Sequence, residues 1–281
     1  MMVYNIAAFT GAGMDYDYSK GDIDDHKDIF GRLFLTPFKN TEIEALSGVH
    51  FCVNGSYGRQ TIPTRRFEIK GFGAAVRDDR FWTWETEKTG NGKIDGRSRW
   101  GGELHYIYRL LSFSSEYIVT QYDNIKIIAP DHAEIMDEDG AINSWSSWAG
   151  LFFTGEQKKV GNFGWKRPKP AKNFDPVNFT GPGSWEIIAR YTHTETDENL
   201  FKMADYRGEN YRILKGAHVV DEFTVGLNWG WNAMVQWQLN YIYLFSDDKY
   251  GGICTGNEDN PDGLKYVKSD DMIGLRMIFR F

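Results

Sequence analysis

Along most of this chain, apolar and polar residues alternate with a period of two. Trp100, Gly102, Leu104, Tyr106 and Tyr108 interleave with Arg97, Arg99, Gly101, Glu103, His105, Ile107 and Arg109. Successive side chains leave a strand on opposite faces, so this stretch predicts one aromatic face and one polar, basic face. Val49, Phe51, Val53 and Tyr57 alternate in the same way with His50, Cys52, Asn54 and Ser56. Later, Trp185, Ile187, Ala189 and Tyr191 oppose Glu186, Ile188, Arg190 and Thr192, and Trp237, Leu239, Tyr241, Tyr243 and Phe245 oppose Gln236, Gln238 and Asn240.

Read this way, the chain predicts strands over 2–10, 28–37, 46–57, 97–109, 112–122, 142–154, 185–192, 223–229, 236–245 and 272–281. That makes about ten strands, with a further hairpin possible near Phe81-Trp-Thr-Trp84. No stretch shows a 3.6-residue apolar stripe. The last strand has a wholly apolar face of Ile273, Leu275, Met277, Phe279 and Phe281, while Arg276 and Arg280 lie on the other. The length of this strand suits a tilted crossing of a bilayer. The expected fold is therefore an all-β, antiparallel transmembrane barrel, greasy outside and polar inside. A soluble β-sandwich, for example a surface domain that binds carbohydrate, would show the same alternation and stays open on periodicity alone.

Connections alternate between long and short, as in barrels with short periplasmic turns and long outer loops. With the C-terminus at the periplasmic end, 11–27, 58–95, 123–141, 195–221 and 247–270 fall outside. The segment 155–183 is long yet falls on the periplasmic side. Trp185, Trp229, Trp231 and Trp237 share one level there, where indoles would form an interfacial girdle.

Composition agrees. Ten Trp, 15 Tyr, 19 Phe and 30 Gly stand against 8 Pro in 281 residues, a balance of strands and turns. Mean hydropathy is −0.50, which lumen-facing polar residues would explain. Cys52 and Cys254 show no metal-ligand spacing. Asp15 to Gly21 has its glycine misplaced for a calcium loop and no glutamate at the required position, so no metal site and no cofactor are expected. No nucleophile accompanies His50 or His105, and no enzymatic activity is expected. The chain opens in strand-like sequence without a basic region followed by an apolar core, as in a cytosolic protein or in a mature or truncated chain.

Several short motifs carry a resemblance. Phe153-Thr-Gly-Glu156, Gly183-Ser-Trp-Glu-Ile-Ile-Ala-Arg-Tyr191, Phe223-Thr-Val-Gly-Leu-Asn-Trp229 with Asn240-Tyr241, and Gly274-Leu-Arg276 with Phe281 follow one another in order. Gly31-Arg-Leu33 and Pro37-Phe38 precede them. Together they resemble strands of the phosphate-selective porin O and P family. The resemblance implies a trimeric, sixteen-stranded porin of a Gram-negative outer membrane, passing phosphate and related anions through a lumen narrowed by inward-folded loops. It also implies that residues 1–281 form one β-barrel unit, the C-terminal part of such a barrel. Earlier strands and a signal peptide would then lie upstream.

An anion path needs cations facing water, and arginine suits oxyanions because its planar fork donates two hydrogen bonds. Alternation places Arg32, Arg97, Arg99, Arg190 and Arg276 towards the lumen, with Arg109 and Arg280 near the rim. Glu103, Glu116 and Glu186 share that side. The net charge of −7 then resides in outer loops, such as Asp15, Asp17, Asp22, Asp24 and Asp25. Arg65, Arg66, Lys70, Arg77 and Arg80 lie in the long outer loop that the resemblance would fold inward. Lys158, Lys159, Lys166, Arg167, Lys169 and Lys172 form a basic run on the other side. The expected partners are inorganic phosphate or similar anions, outer-membrane lipid and lipopolysaccharide, and two further copies of the chain; nucleic acid is not among them. A porin of the same build for another solute remains open, because fold does not fix selectivity.

Overall fold

The computed structural model describes residues 1–10, 27–59, 68–70, 80–84, 91–128, 131, 133–161, 164–166, 168–247, 249–255 and 265–280. Ten strands form a continuous antiparallel path in chain order: β1 (Met2–Thr10), β2 (Lys27–Leu35), β3 (Val49–Arg59), β4 (Gly96–Tyr108), β5 (Leu111–Ile128), β6 (Glu134–Phe152), β7 (Ser184–Thr196), β8 (Val219–Gly230), β9 (Val235–Ser246) and β10 (Ser269–Phe279). Each strand pairs with the next, so the sheet is a meander, and among the described residues β1 and β10 are its open edges. The short strand Asn91–Lys93 pairs with the far end of β5.

Local chemistry explains the tight turns at one end. Between β4 and β5, Arg109 takes a φ of 52°, the handedness that a two-residue hairpin of right-twisted strands favours. Between β8 and β9, Asn232 Oδ1 accepts from the backbone N–H groups of Met234 (2.8 Å) and Val235 (2.9 Å), an Asx turn. This end of the sheet, which also carries Phe279, is called the turn end below; the other is the loop end.

Register fixes the two faces. Trp229 stands opposite Trp237 and Trp185, and Leu227 opposite Leu239 and Ile187. The apolar set is the exposed one: Ile273 is 73% and Ile187 48% accessible, whereas Glu186 on the other face is 2% and Thr224 5%. This separates the two architectures that periodicity left open. A sandwich would bury its apolar face, but here Tyr117, Leu151, Phe223, Leu239 and Leu275 all lie open across the sheet. A soluble monomer rarely exposes so many large apolar side chains on one sheet face, and such a face suits hydrocarbon.

Strand ends differ from expectation. The predicted acidic loop 123–141 is largely strand, because β5 runs to Ile128 and β6 starts at Glu134. Lys126 pairs there with Glu134 and Asp137, both at 3.1 Å, so these acids decorate a ladder. Residues 68–70 and 80–84 pair as a hairpin, in agreement with the one expected near Phe81.

At the loop end the inner face turns apolar. Tyr122, Ile125, Ile127, Met136, Ile142, Val220, Ile242 and Leu244 form one core with Leu200, Phe201, Ile213, Leu214, Ala217 and Ile253. The insertion between β7 and β8 thus folds against the inner face. A 3₁₀ turn, Glu198–Phe201, capped by the Asp197 side chain, presents Leu200 and Phe201 to it.

At the turn end, Trp185 stacks on Trp229 with centroids 4.9 Å apart, and Trp231 reaches both Trp229 (5.4 Å) and Trp237 (6.1 Å). The four indoles expected at one level do lie together. The Pro182 carbonyl accepts from Nε1 of Trp185 (2.9 Å) and of Trp229 (3.0 Å).

Candidate functional site: the polar inner face

Three groups of charges line the inner face. The first joins β2, β3, β4 and β5. Arg32 Nη2 donates to Glu103 Oε2 at 2.9 Å, and its Nε lies 2.9 Å from Cys52 Sγ. Glu103 Oε1 accepts from Asn54 Nδ2 at 3.0 Å, and Oε2 is 3.1 Å from His105 Nε2. The other ring nitrogen of His105 is 2.8 Å from Ser114 Oγ. Nearer the loop end, Asp28 Oδ2 takes both Arg97 (3.1 Å) and Arg99 (3.4 Å). Farther along the sheet, Arg190 pairs with Glu222, which also accepts from Thr224 Oγ1 at 3.0 Å. Except for Arg99, which is exposed, these side chains are half-buried or buried, so losing the partner of one of them would leave a desolvated charge.

The second feature is a strap from the connection between β6 and β7. Its hairpin, Lys159–Gly161 with Gly164–Lys166, folds onto the inner face at the turn end. Lys158 forms an ion pair with Glu186 and sits 4.3 Å above the Trp148 ring. Trp165 packs edge-on against Trp148 (4.8 Å) and His105 (5.4 Å). The chain then returns past Glu156, whose Oε1 accepts from Ala171 N at 3.0 Å. Thr154 Oγ1 accepts from Trp185 N at 2.8 Å and hydrogen-bonds Glu156. The Phe153-Thr-Gly-Glu156 and Gly183-Ser-Trp-Glu motifs are therefore the two jaws that hold the strap.

The third feature is a cleft of about 240 Å³ between the strap and the last three strands. Arg276, Arg280, Lys158 and Lys166 line it, with Gln236, Gln238, Asn228 and Glu186. Glu186 is already engaged by Lys158 and by Asn228 Nδ2 (3.0 Å). Arg276 hydrogen-bonds Gln238 through Nε at 3.1 Å, and among the described residues it has no carboxylate partner.

The arginines anticipated from alternation therefore lie on the inner face, but not alike. Arg32, Arg97, Arg99 and Arg190 are each joined to an acid; Arg276 is joined to an amide. Arg109 lies at the turn and pairs with Glu44 at 3.2 Å, a contact that keeps its guanidinium pKa raised. Lys70 and Arg80 belong to strands of a small separate sheet. Arg65, Arg66 and Arg77 lie outside the described residues, as do the acids between Asp15 and Asp25. Sequence reasoning missed Asp28 and Glu222, the acids that neutralise Arg97, Arg99 and Arg190. Glu222 falls one residue before the strand predicted from Phe223, and its position on the Thr224 face was the available signal.

An open antiparallel meander with a lipid-suited outer face and a charged inner face defines the wall of a membrane β-barrel. The chain matches the model of the phosphate-selective porin O and P family over residues 77–281, and it belongs to that family. No curated protein matches it. Among solved structures it is similar to the toluene transporter TodX of Pseudomonas putida, at 12% identity and a TM-score of 0.34, with 91% of this chain and 61% of that chain covered. A TodX deltaS2 mutant, described as a monoaromatic hydrocarbon channel, gives 12% identity and 0.34 with 91% and 62% covered. The chain thus spans less than two thirds of the length of those two structures.

Proposed function

We propose that the protein is an outer-membrane porin that gives passive, anion-selective passage to phosphate or related oxyanions. The observation that carries this reading is the composition of the inner face. Among the described residues Arg32, Arg97, Arg99, Arg190, Arg276 and Arg280 stand on it, and in the cleft around Arg276 the cations outnumber the single, already engaged carboxylate. Fixed guanidinium groups that offer weak and replaceable hydrogen bonds are what conduction of an oxyanion requires, and among the described residues Arg276 and Arg280 have no carboxylate partner. The exposed apolar face would meet lipid, the Trp cluster would lie at the interface, and lipopolysaccharide and two further copies of the chain are proposed as partners. The two open edges would be satisfied by further strands of the assembled barrel, since unpaired backbone groups are costly in hydrocarbon.

Planar-bilayer recording of the assembled protein tests the reading. Phosphate added to a chloride-bathed channel should lower the chloride current by occupying the same arginines. A preference for cations would reject the proposal. A general porin is the second reading, favoured by the ion pairs that hold Arg32, Arg97 and Arg190 and so reduce the field they offer to a passing ion.

A further inference from the structure

The cleft at Arg276 sets cations beside carbon as well as beside amides. Phe152, Trp165, Pro168 and Ile278 line it together with Arg276 and Lys166, and Ser184, Asn228, Gln236 and Gln238 complete the lining.

Inorganic phosphate presents oxygen in every direction and is hydrated on all sides, so apolar walls give it nothing and strip its water. An anion with its charge at one end and an apolar body at the other would use both halves of the cleft. Arg276 gives Nε and Nη2 to Gln238 and has no carboxylate partner among the described residues, so its Nη1 side can meet a carboxylate. Lys166 and Arg280 also have no carboxylate partner among the described residues, and Lys158 already neutralises Glu186. The apolar body would lie along Trp165 and Ile278, replacing water there by carbon. The volume of about 240 Å³ suits a ligand of a single ring or a short chain.

We propose that this cleft is a binding site for a small organic carboxylate, and that it prefers such a ligand to inorganic phosphate. The proposal rests on the anion-porin reading and assigns a substrate class to one part of that lumen. It also makes the strap a specificity element, because Trp165, Lys166 and Pro168 all come from it.

Calorimetric titration of the assembled protein in detergent with benzoate and separately with inorganic phosphate tests the proposal. Benzoate should bind one to one and at least about tenfold more tightly than phosphate, a gap of about 1.4 kcal/mol. Arg276→Gln should weaken benzoate about tenfold or more, and Arg276→Lys should weaken it less. Ile278→Ser, which keeps every cation, should narrow the gap between the two anions. Equal or tighter binding of phosphate, no binding of benzoate, or unchanged benzoate binding by Arg276→Gln would overturn the proposal. Failure of the porin reading shows instead as cation selectivity in the bilayer, so the two failures are distinct.

Discussion

Arg32 Nη2 in β2 donates to Glu103 Oε2 in β4 at 2.9 Å, reaching across the whole width of β3. Asn54 on the strand between donates to the other oxygen of the same carboxylate. One ion pair thus ties three strands on the inner face. Removing only one member leaves a half-buried charge with fewer partners. Arg32→Ala is therefore expected to lower unfolding free energy by about 1–3 kcal/mol, measured by urea titration in detergent. Replacing both with neutral residues, Arg32→Met with Glu103→Gln, is expected to cost less than Arg32→Ala alone. A larger loss in the double variant would contradict this account of the pair.

Arg190 and Glu222 make the same kind of contact between β7 and β8. A double-mutant cycle with Arg190→Gln and Glu222→Gln should give a coupling of about 0.5–3 kcal/mol. A coupling indistinguishable from zero would mean that the two charges act independently.

The strap depends on Glu156. Its carboxylate accepts from Ala171 N and meets Thr154, which in turn holds Trp185 N. Glu156→Ala removes those acceptors, at a cost of about 1–3 kcal/mol. Limited trypsin digestion should then cut near Lys158, Lys159 and Lys166 faster than in the parent protein. Unchanged cleavage would show that the ion pair of Lys158 with Glu186 and the packing of Trp165 are sufficient to hold the strap.

At the loop end, Glu198 accepts from Lys249 Nζ (2.7 Å) and from Tyr250 OH (3.1 Å). The Lys249 bond, followed by that from Tyr250, holds the carboxyl below the usual range. A carboxyl lowered by folding contributes stability above its unfolded value and loses it as pH falls through the folded one. The clasp should therefore be intact above about pH 5 and weaken below about pH 4. Amide hydrogen exchange at 198–201, corrected for intrinsic rates, should quicken over that acid range. In Glu198→Gln it should be quick throughout. Protection that does not change between pH 6 and pH 3 would contradict the role given to Glu198.

Much of the wall was legible in the sequence because its two faces meet different surroundings. Tyr241, Tyr243 and Phe245 alternate with Asn240, Ile242 and Leu244, and the register sorts them as alternation predicts. The loop-end core was less legible, since Ile242, Leu244, Val220 and Ile142 are apolar on the inner side. They break the polar-inside rule where an insertion folds onto them. The acid-rich stretch around Asp137 concealed a strand because its charges pair along the ladder with Lys126. Arginines could be placed on the inner face from alternation alone, but their partners could not. Arg97 and Asp28 are separated by 69 positions, and only the order of strands brings them together. Cys52 carried no signal, yet it lies buried against Arg32. The basic run from Lys158 gave its charge but not its place, because a charge run has the same composition whether solvated or folded inward.

If the inner face is an anion path, Arg276, which has no carboxylate partner among the described residues, contributes to it most directly. The zero-current potential of the assembled protein across a potassium chloride gradient tests it. The expected sign is that of anion preference, and Arg276→Gln should move the potential towards zero by more than Arg32→Gln does. A potential of the opposite sign in the parent protein, or an Arg276→Gln variant with unchanged selectivity, would contradict the claim.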